Sequence, residues 1–149
     1  MRLVRLVPMF ALLFALCMTQ PAAAVLQFYK VYQTEYLDNN PNEEFVAEAK
    51  KPANRCFACH QGKKRKHHNA YGEHLVELLD RKKDAKDVAK ITAALQQVAA
   101  MKVDPSDPNS ETYGDRIAAG KWPGGELEDL KAEPPESAEN GEAAEPAAP

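Results

Sequence analysis

Two cysteines three residues apart with a histidine directly behind them, Cys56-Phe57-Ala58-Cys59-His60, constrain this chain more than any other feature. Thiols at that spacing can reach one target together, and the imidazole is held beside them whatever the rest of the fold does. Four uses compete. A structural zinc ion wants four ligands, but beyond the motif only His67, His68 and His74 are at hand, at spacings foreign to a zinc finger. A thioredoxin-like redox pair needs strand–helix–strand surroundings, and a disulfide across two intervening residues is strained. The fourth is haem, because Cys-x-x-Cys-His is the sequence to which c-type haem is attached. Its two thiols form thioether bonds to the two vinyl groups of one porphyrin. The next residue then lies beneath the iron. On this reading each chain holds one covalent haem c on Cys56 and Cys59, with His60 as the proximal iron ligand.

The start of the chain bears on the same question. Arg2 and Arg5 give a basic beginning, an apolar run extends from Met9 to Met18, and Pro21-Ala22-Ala23-Ala24 closes it with small residues. That is the layout of a secretory signal over residues 1–24. The run is short for a bilayer span, which takes about 20 apolar residues. A retained anchor is the alternative. Cys17 follows the bulky Leu16, an unfavourable context for lipid modification, and belongs to the segment removed. The mature chain then keeps Cys56 and Cys59 alone, in an oxidising compartment where a bare pair would become a disulfide. Haem c is also attached outside the cytoplasm, so signal and motif support each other. The expected location is periplasmic or secreted, with no membrane span after cleavage.

From residue 25 to 37, Phe28, Val31, Tyr32 and Tyr36 recur at helical steps, and Asn39-Asn40-Pro41-Asn42 ends the pattern. A short helix over residues 43–50 precedes Pro52. Asn69 is placed to cap a helix through Arg81 that presents Tyr71, His74, Leu75, Leu78 and Leu79 on one face. A longer helix over residues 84–101 carries Val88, Ile91, Leu95 and Val98 as its stripe. Ser110 is placed to cap a last helix bearing Tyr113 and Ile117, which stops at Gly120. No alternating strand pattern or internal repeat occurs. The tail over residues 132–149 holds Glu133, Glu136, Glu139, Glu142 and Glu145 and no basic residue. Its Pro, Glu and Ala mixture should stay disordered. Apart from that tail and the basic start the body is formally neutral, which with the export signal argues against nucleic acid as a partner. The expected fold is all-α, a small helical domain over residues 25–131 wrapped around the haem.

Residues 56–72 also carry a resemblance: the haem motif, a lysine-rich stretch, then Asn69-Ala70-Tyr71-Gly72. With the closing Tyr113-Gly114 and Ala119-Gly120-Lys121-Trp122-Pro123, the chain resembles the small exported monohaem cytochrome c-like proteins of planctomycete-type bacteria. The resemblance covers about half of the mature chain, and its one specific motif is that of the haem. It implies a cytochrome c-like helical fold, haem binding and electron transfer. Class I cytochromes place an aromatic residue four positions before the first cysteine. This chain has Pro52 there, with Phe45 as its nearest upstream aromatic, so the helix packing is expected to differ.

A second axial ligand would set much of the iron's behaviour. Met101 is the only methionine outside the signal and ends the apolar stripe of its helix. It is the first candidate for the distal position, and His74 on the face of Tyr71 is the alternative. His67 and His68 follow the motif too closely to reach the far haem face with ease. Each also has a plain structural reading, Met101 as core filler and His74 as a half-buried side chain. Lys63, Lys64, Arg65 and Lys66 lie just past the motif and would steer an acidic redox partner, or simply be solvated. With no paired carboxylates, nucleophile elbow or phosphate loop, the chain reads as an electron carrier rather than an enzyme. A haem-based sensor with an open iron is the second reading, and a small peroxidase the third.

Overall fold

The computed structural model describes residues 22–134. Residues 1–21 of the expected signal and residues 135–149 of the acidic tail lie outside the described residues. Most of what is described is helical. Helix α1 (Ala22–Tyr32) runs on into a π-helical turn, Gln33–Leu37, where the Asp38 N–H reaches back to the Gln33 carbonyl at 3.0 Å. The residues expected on its inner face are there: Val31 and Tyr32 are buried, with Phe28 and Tyr36 packed against the core, and Leu37 is buried besides. The asparagine-rich stop then becomes a cap. Asn42 Oδ1 accepts the Phe45 N–H at 2.9 Å and starts α2 (Glu43–Lys50), which buries Phe45 and Ala49. Phe45 meets Trp122 edge-to-face, with ring centroids 5.6 Å apart.

Past Pro52 the chain tightens into a 3-10 turn, Arg55–Ala58, and then forms a small hairpin. Strand β1 (His60–Gln61) pairs antiparallel with β2 (His67–His68), His60 opposite His68. The sequence pattern gives no sign of this hairpin, since strands of two residues are too short to show alternation. Gly62 (φ 79°) and Arg65 (φ 56°) take the left-handed conformation in its connection. Asn69 caps α3 (Ala70–Leu78) as the sequence predicts.

That helix ends before Arg81. The Asp80 carboxylate accepts the N–H groups of Lys82 and Lys83, and Asp84 accepts that of Asp80, so the backbone is bound into a turn instead. Asp87 then caps α4 (Val88–Ala99), which is shorter than the expected 84–101 at both ends. Ile91, Ala94, Leu95 and Val98 are buried, whereas Val88, expected in the stripe, is 49% exposed. For α5 (Tyr113–Ala118) the cap is Thr112 in a capping box with Asp115, not Ser110. The Ser110 hydroxyl accepts the Asp104 N–H in the preceding loop instead. Gly120, at φ 74°, ends α5 with the Lys121 N–H on the Arg116 carbonyl and its own N–H on that of Ile117.

A further short helix, α6 (Leu127–Lys131), is not legible from the sequence. It buries Leu130, whose carbonyl accepts the Gly62 N–H at 2.8 Å. Helix α4 packs against α1, α3 and α5. One apolar cluster joins all six helices to Phe57 and Ala58 of the 3-10 turn, which puts the cysteine motif at the edge of the core.

Candidate functional site

Cys56 lies on the 3-10 turn and Cys59 directly after it, with the Cys59 N–H donating to the Cys56 carbonyl at 3.2 Å. Both are free, partly buried thiols. Burial, reinforced by the neighbouring Cys56, pushes the Cys59 thiol up to about 12. Protonation lowers the reactivity of Cys59, because the thiolate is the reactive form.

The hairpin fixes His60. Its Nδ1 lies 3.2 Å from the His67 carbonyl oxygen, and its ring rests against that of the cross-strand partner His68 at a centroid distance of 4.7 Å. Burial holds the His60 pKa below the ordinary histidine value. His68, Arg65 and Arg81 lower it further, and the His67 carbonyl works the other way. The neutral imidazole therefore donates from Nδ1 to the backbone and keeps the Nε2 lone pair, the form in which histidine ligates a metal. Two thiols and an oriented imidazole thus share one short loop.

Helix α3 lies directly on this loop. A methyl group at Gly72 would come 1.9 Å from the Cys59 carbonyl oxygen, so only glycine permits the approach. Beside Cys59 stand Tyr32 and Tyr71, whose titration it influences. Tyr32 meets Tyr36 at 5.3 Å and Tyr71 at 6.4 Å, and Tyr71 meets Tyr113 at 5.4 Å, all edge-to-face. The hydroxyls of Tyr32, Tyr36 and Tyr71 are buried and have no hydrogen-bond partner among the described residues; those of Tyr36 and Tyr71 approach each other outside good hydrogen-bond geometry. Burial raises the pKa of all three, so they remain phenols. Sequence reasoning places Tyr32 and Tyr36 on one helical face and Tyr71 on another. Only the long-range packing of α1 on α3 gathers them, and no local pattern announces it.

Both distal candidates adjoin Tyr113. The His74 ring lies 5.8 Å from that of Tyr113, and the Met101 carbonyl accepts the Tyr113 N–H at 3.0 Å. Met101 is partly buried against the core just after α4, where Lys102 pairs with Thr112. Tyr113 and Tyr71 therefore link the neighbourhood of both residues to Cys59. His67 and His68 stay on the hairpin beside His60. Lys63, Lys64, Arg65 and Lys66 are exposed in the hairpin connection, and no described acid lies in ion-pair contact with them. Glu133 reaches that connection by another route, its carboxylate accepting the Lys64 backbone N–H at 3.0 Å.

Among the described residues no three His, Cys, Asp or Glu side chains are grouped to hold a metal ion, and no helix is long and apolar enough to cross a membrane. No protein-family model, curated protein or solved structure matches the chain.

Proposed function

We propose that this chain is an exported monohaem c-type cytochrome, a one-electron carrier of the periplasm or the exterior. The observation that carries the reading is the His60 geometry within the motif: Nδ1 is committed to the His67 carbonyl, Nε2 is left for iron, and two unpaired thiols stand on the same turn. The residues suit haem c in a second respect. Tyr32 and Tyr71 stand beside Cys59 and Tyr113 packs edge-to-face on Tyr71, an aromatic surface suited to an apolar porphyrin. When bound, haem supplies the reversible one-electron couple of its iron.

The chain's own residues would do the rest. Cys56 and Cys59 hold the group covalently, and His60 is the proximal ligand. Tyr32, Tyr71 and Tyr113 give an apolar wall that keeps water away, which favours the less charged state of the iron. Met101 is the proposed distal ligand, with His74 as the alternative. The exposed lysines at 63, 64 and 66, with Arg65, favour an acidic redox partner.

Production of the full chain in a host with a haem-attachment system tests this. The purified protein should be coloured and heavier than the polypeptide by one haem, and Cys56→Ser with Cys59→Ser should abolish both properties. Colourless wild-type material removes the proposal. In the reduced spectrum Met101→Ala should alter the ligation bands and open the ferrous iron to carbon monoxide, while His74→Ala should leave them as they are. A wild-type ferrous form that already takes carbon monoxide points to the sensor reading instead.

A further inference from the structure

We propose that Asn69 is the positioning residue of the attachment loop, shaping residues 56–60 before haem is joined to them. The purpose rests on the haem reading; the geometry does not. Asn69 is only 3% exposed. Its side-chain amide donates to the Phe57 carbonyl at 2.9 Å and the Ala58 carbonyl at 3.3 Å, with the His60 carbonyl at 3.5 Å. Its backbone N–H donates to the Cys59 carbonyl at 3.1 Å. Its Oδ1 meanwhile accepts the Gly72 N–H at 2.9 Å and caps α3.

The carbonyls of Phe57, Ala58 and Cys59 therefore converge on one residue. A carbonyl held in direction fixes its whole peptide plane, and these planes set how the second thiol stands relative to the first. Asparagine suits the place because it donates and accepts with one short side chain. Asp and Ser cap a helix as well, but Asp would set an anionic oxygen against two carbonyl oxygens, and a Ser hydroxyl falls short of them. The surroundings are fitted to this residue. A methyl group at Gly124 would lie 2.3 Å from the Asn69 side chain, and one at Gly72 would strike Cys59. Asn42 supplies a comparison, since it caps α2 in the same way without touching the motif.

The test uses the full exported chain as wild type, Asn69→Asp, Asn69→Ser and Asn42→Asp. Circular dichroism reads the helix content, intact mass reads haem per chain, and alkylation of the unloaded, reduced chain, located by peptide mass, reads access to Cys59. Both Asn69 variants should keep the wild-type helix signal while haem per chain falls and Cys59 alkylation rises, each by about tenfold, as loss of one or two buried hydrogen bonds implies. Asn42→Asp should change neither. Wild-type loading and alkylation in both Asn69 variants would overturn the proposal. Should both variants lose helix, hydrogen exchange on the unloaded wild-type chain decides. The Asn69 side-chain NH2, which donates to the Phe57 and Ala58 carbonyls, must then exchange far more slowly than a free carboxamide, and exchange at the free rate overturns it. Were the wild type to carry no haem, the functional reading would fall, while alkylation and exchange would still judge the role of Asn69.

Discussion

A single methyl group separates Gly72 from alanine, yet it would stand 1.9 Å from the Cys59 carbonyl oxygen, which belongs to backbone that a rotamer change cannot move. Gly72→Ala must therefore lift α3 from the motif or open the hairpin. It should cost about 2–3 kcal/mol, the range of overpacked cores, with unloaded Cys59 becoming more reactive. Urea unfolding checks the first expectation, and an unchanged midpoint would show that the close approach is not tight. At the surface the scale is smaller. Thr112→Ala removes the acceptor for the Asp115 N–H and should cost about 1 kcal/mol. The Cys-x-x-Cys-His motif is readable residue by residue because its spacing is its chemistry. The orientation of His60 is not, since it depends on a carbonyl in another strand.

Helix α2 precedes the motif and meets the rest of the core partly through Phe45 against Trp122. The class I cytochrome pattern puts an aromatic anchor closer to the first cysteine. Here Pro52 holds that position, and Phe45 on α2 is the nearest upstream aromatic. Phe45→Ala should accordingly cost about 3–4 kcal/mol, measured by thermal or urea unfolding, and a loss below 1 kcal/mol would show the contact to be peripheral. Helices α2 and α3 are legible in the sequence because Asn42 and Asn69 coincide with the onset of apolar periodicity. The start of α4 is misplaced because Asp84 and Asp87 both resemble caps, and only the turn made by Asp80 and Asp84 decides between them. The hairpin and α6 are shorter than any period that could reveal them.

Across the molecule, carboxylates share one electrostatic habit. Asp38, Glu48 and Asp84 are lowered in pKa chiefly by hydrogen bonds from Lys50, Lys51 and Lys90, Asp80 by the Lys83 backbone N–H, and Asp104 and Asp115 by Ser106 and Thr112. A depressed folded pKa stabilises the native state above the unfolded value, 3.8 for Asp and 4.5 for Glu, and that contribution is lost as pH falls through the lower folded value. The urea midpoint of the unloaded chain should thus decline as pH drops below about 4.5. A flat profile down to pH 3 would contradict these bonds. Apart from Asp84, which is 8% exposed, these acids are exposed or half-exposed, so the decline should be gradual. The tyrosine trio by Cys59 shows where whole-molecule features escape sequence reasoning, because it joins α1 and its π-helical turn to α3 through packing alone.

The bond from Gly62 to the Leu130 carbonyl also has a meaning in time. Leu130 leaves the ribosome, and any export channel, long after Cys56 and Cys59, so the flank of the hairpin stays bare through most of the chain's emergence. That flank is therefore closed last, and only when α6 arrives.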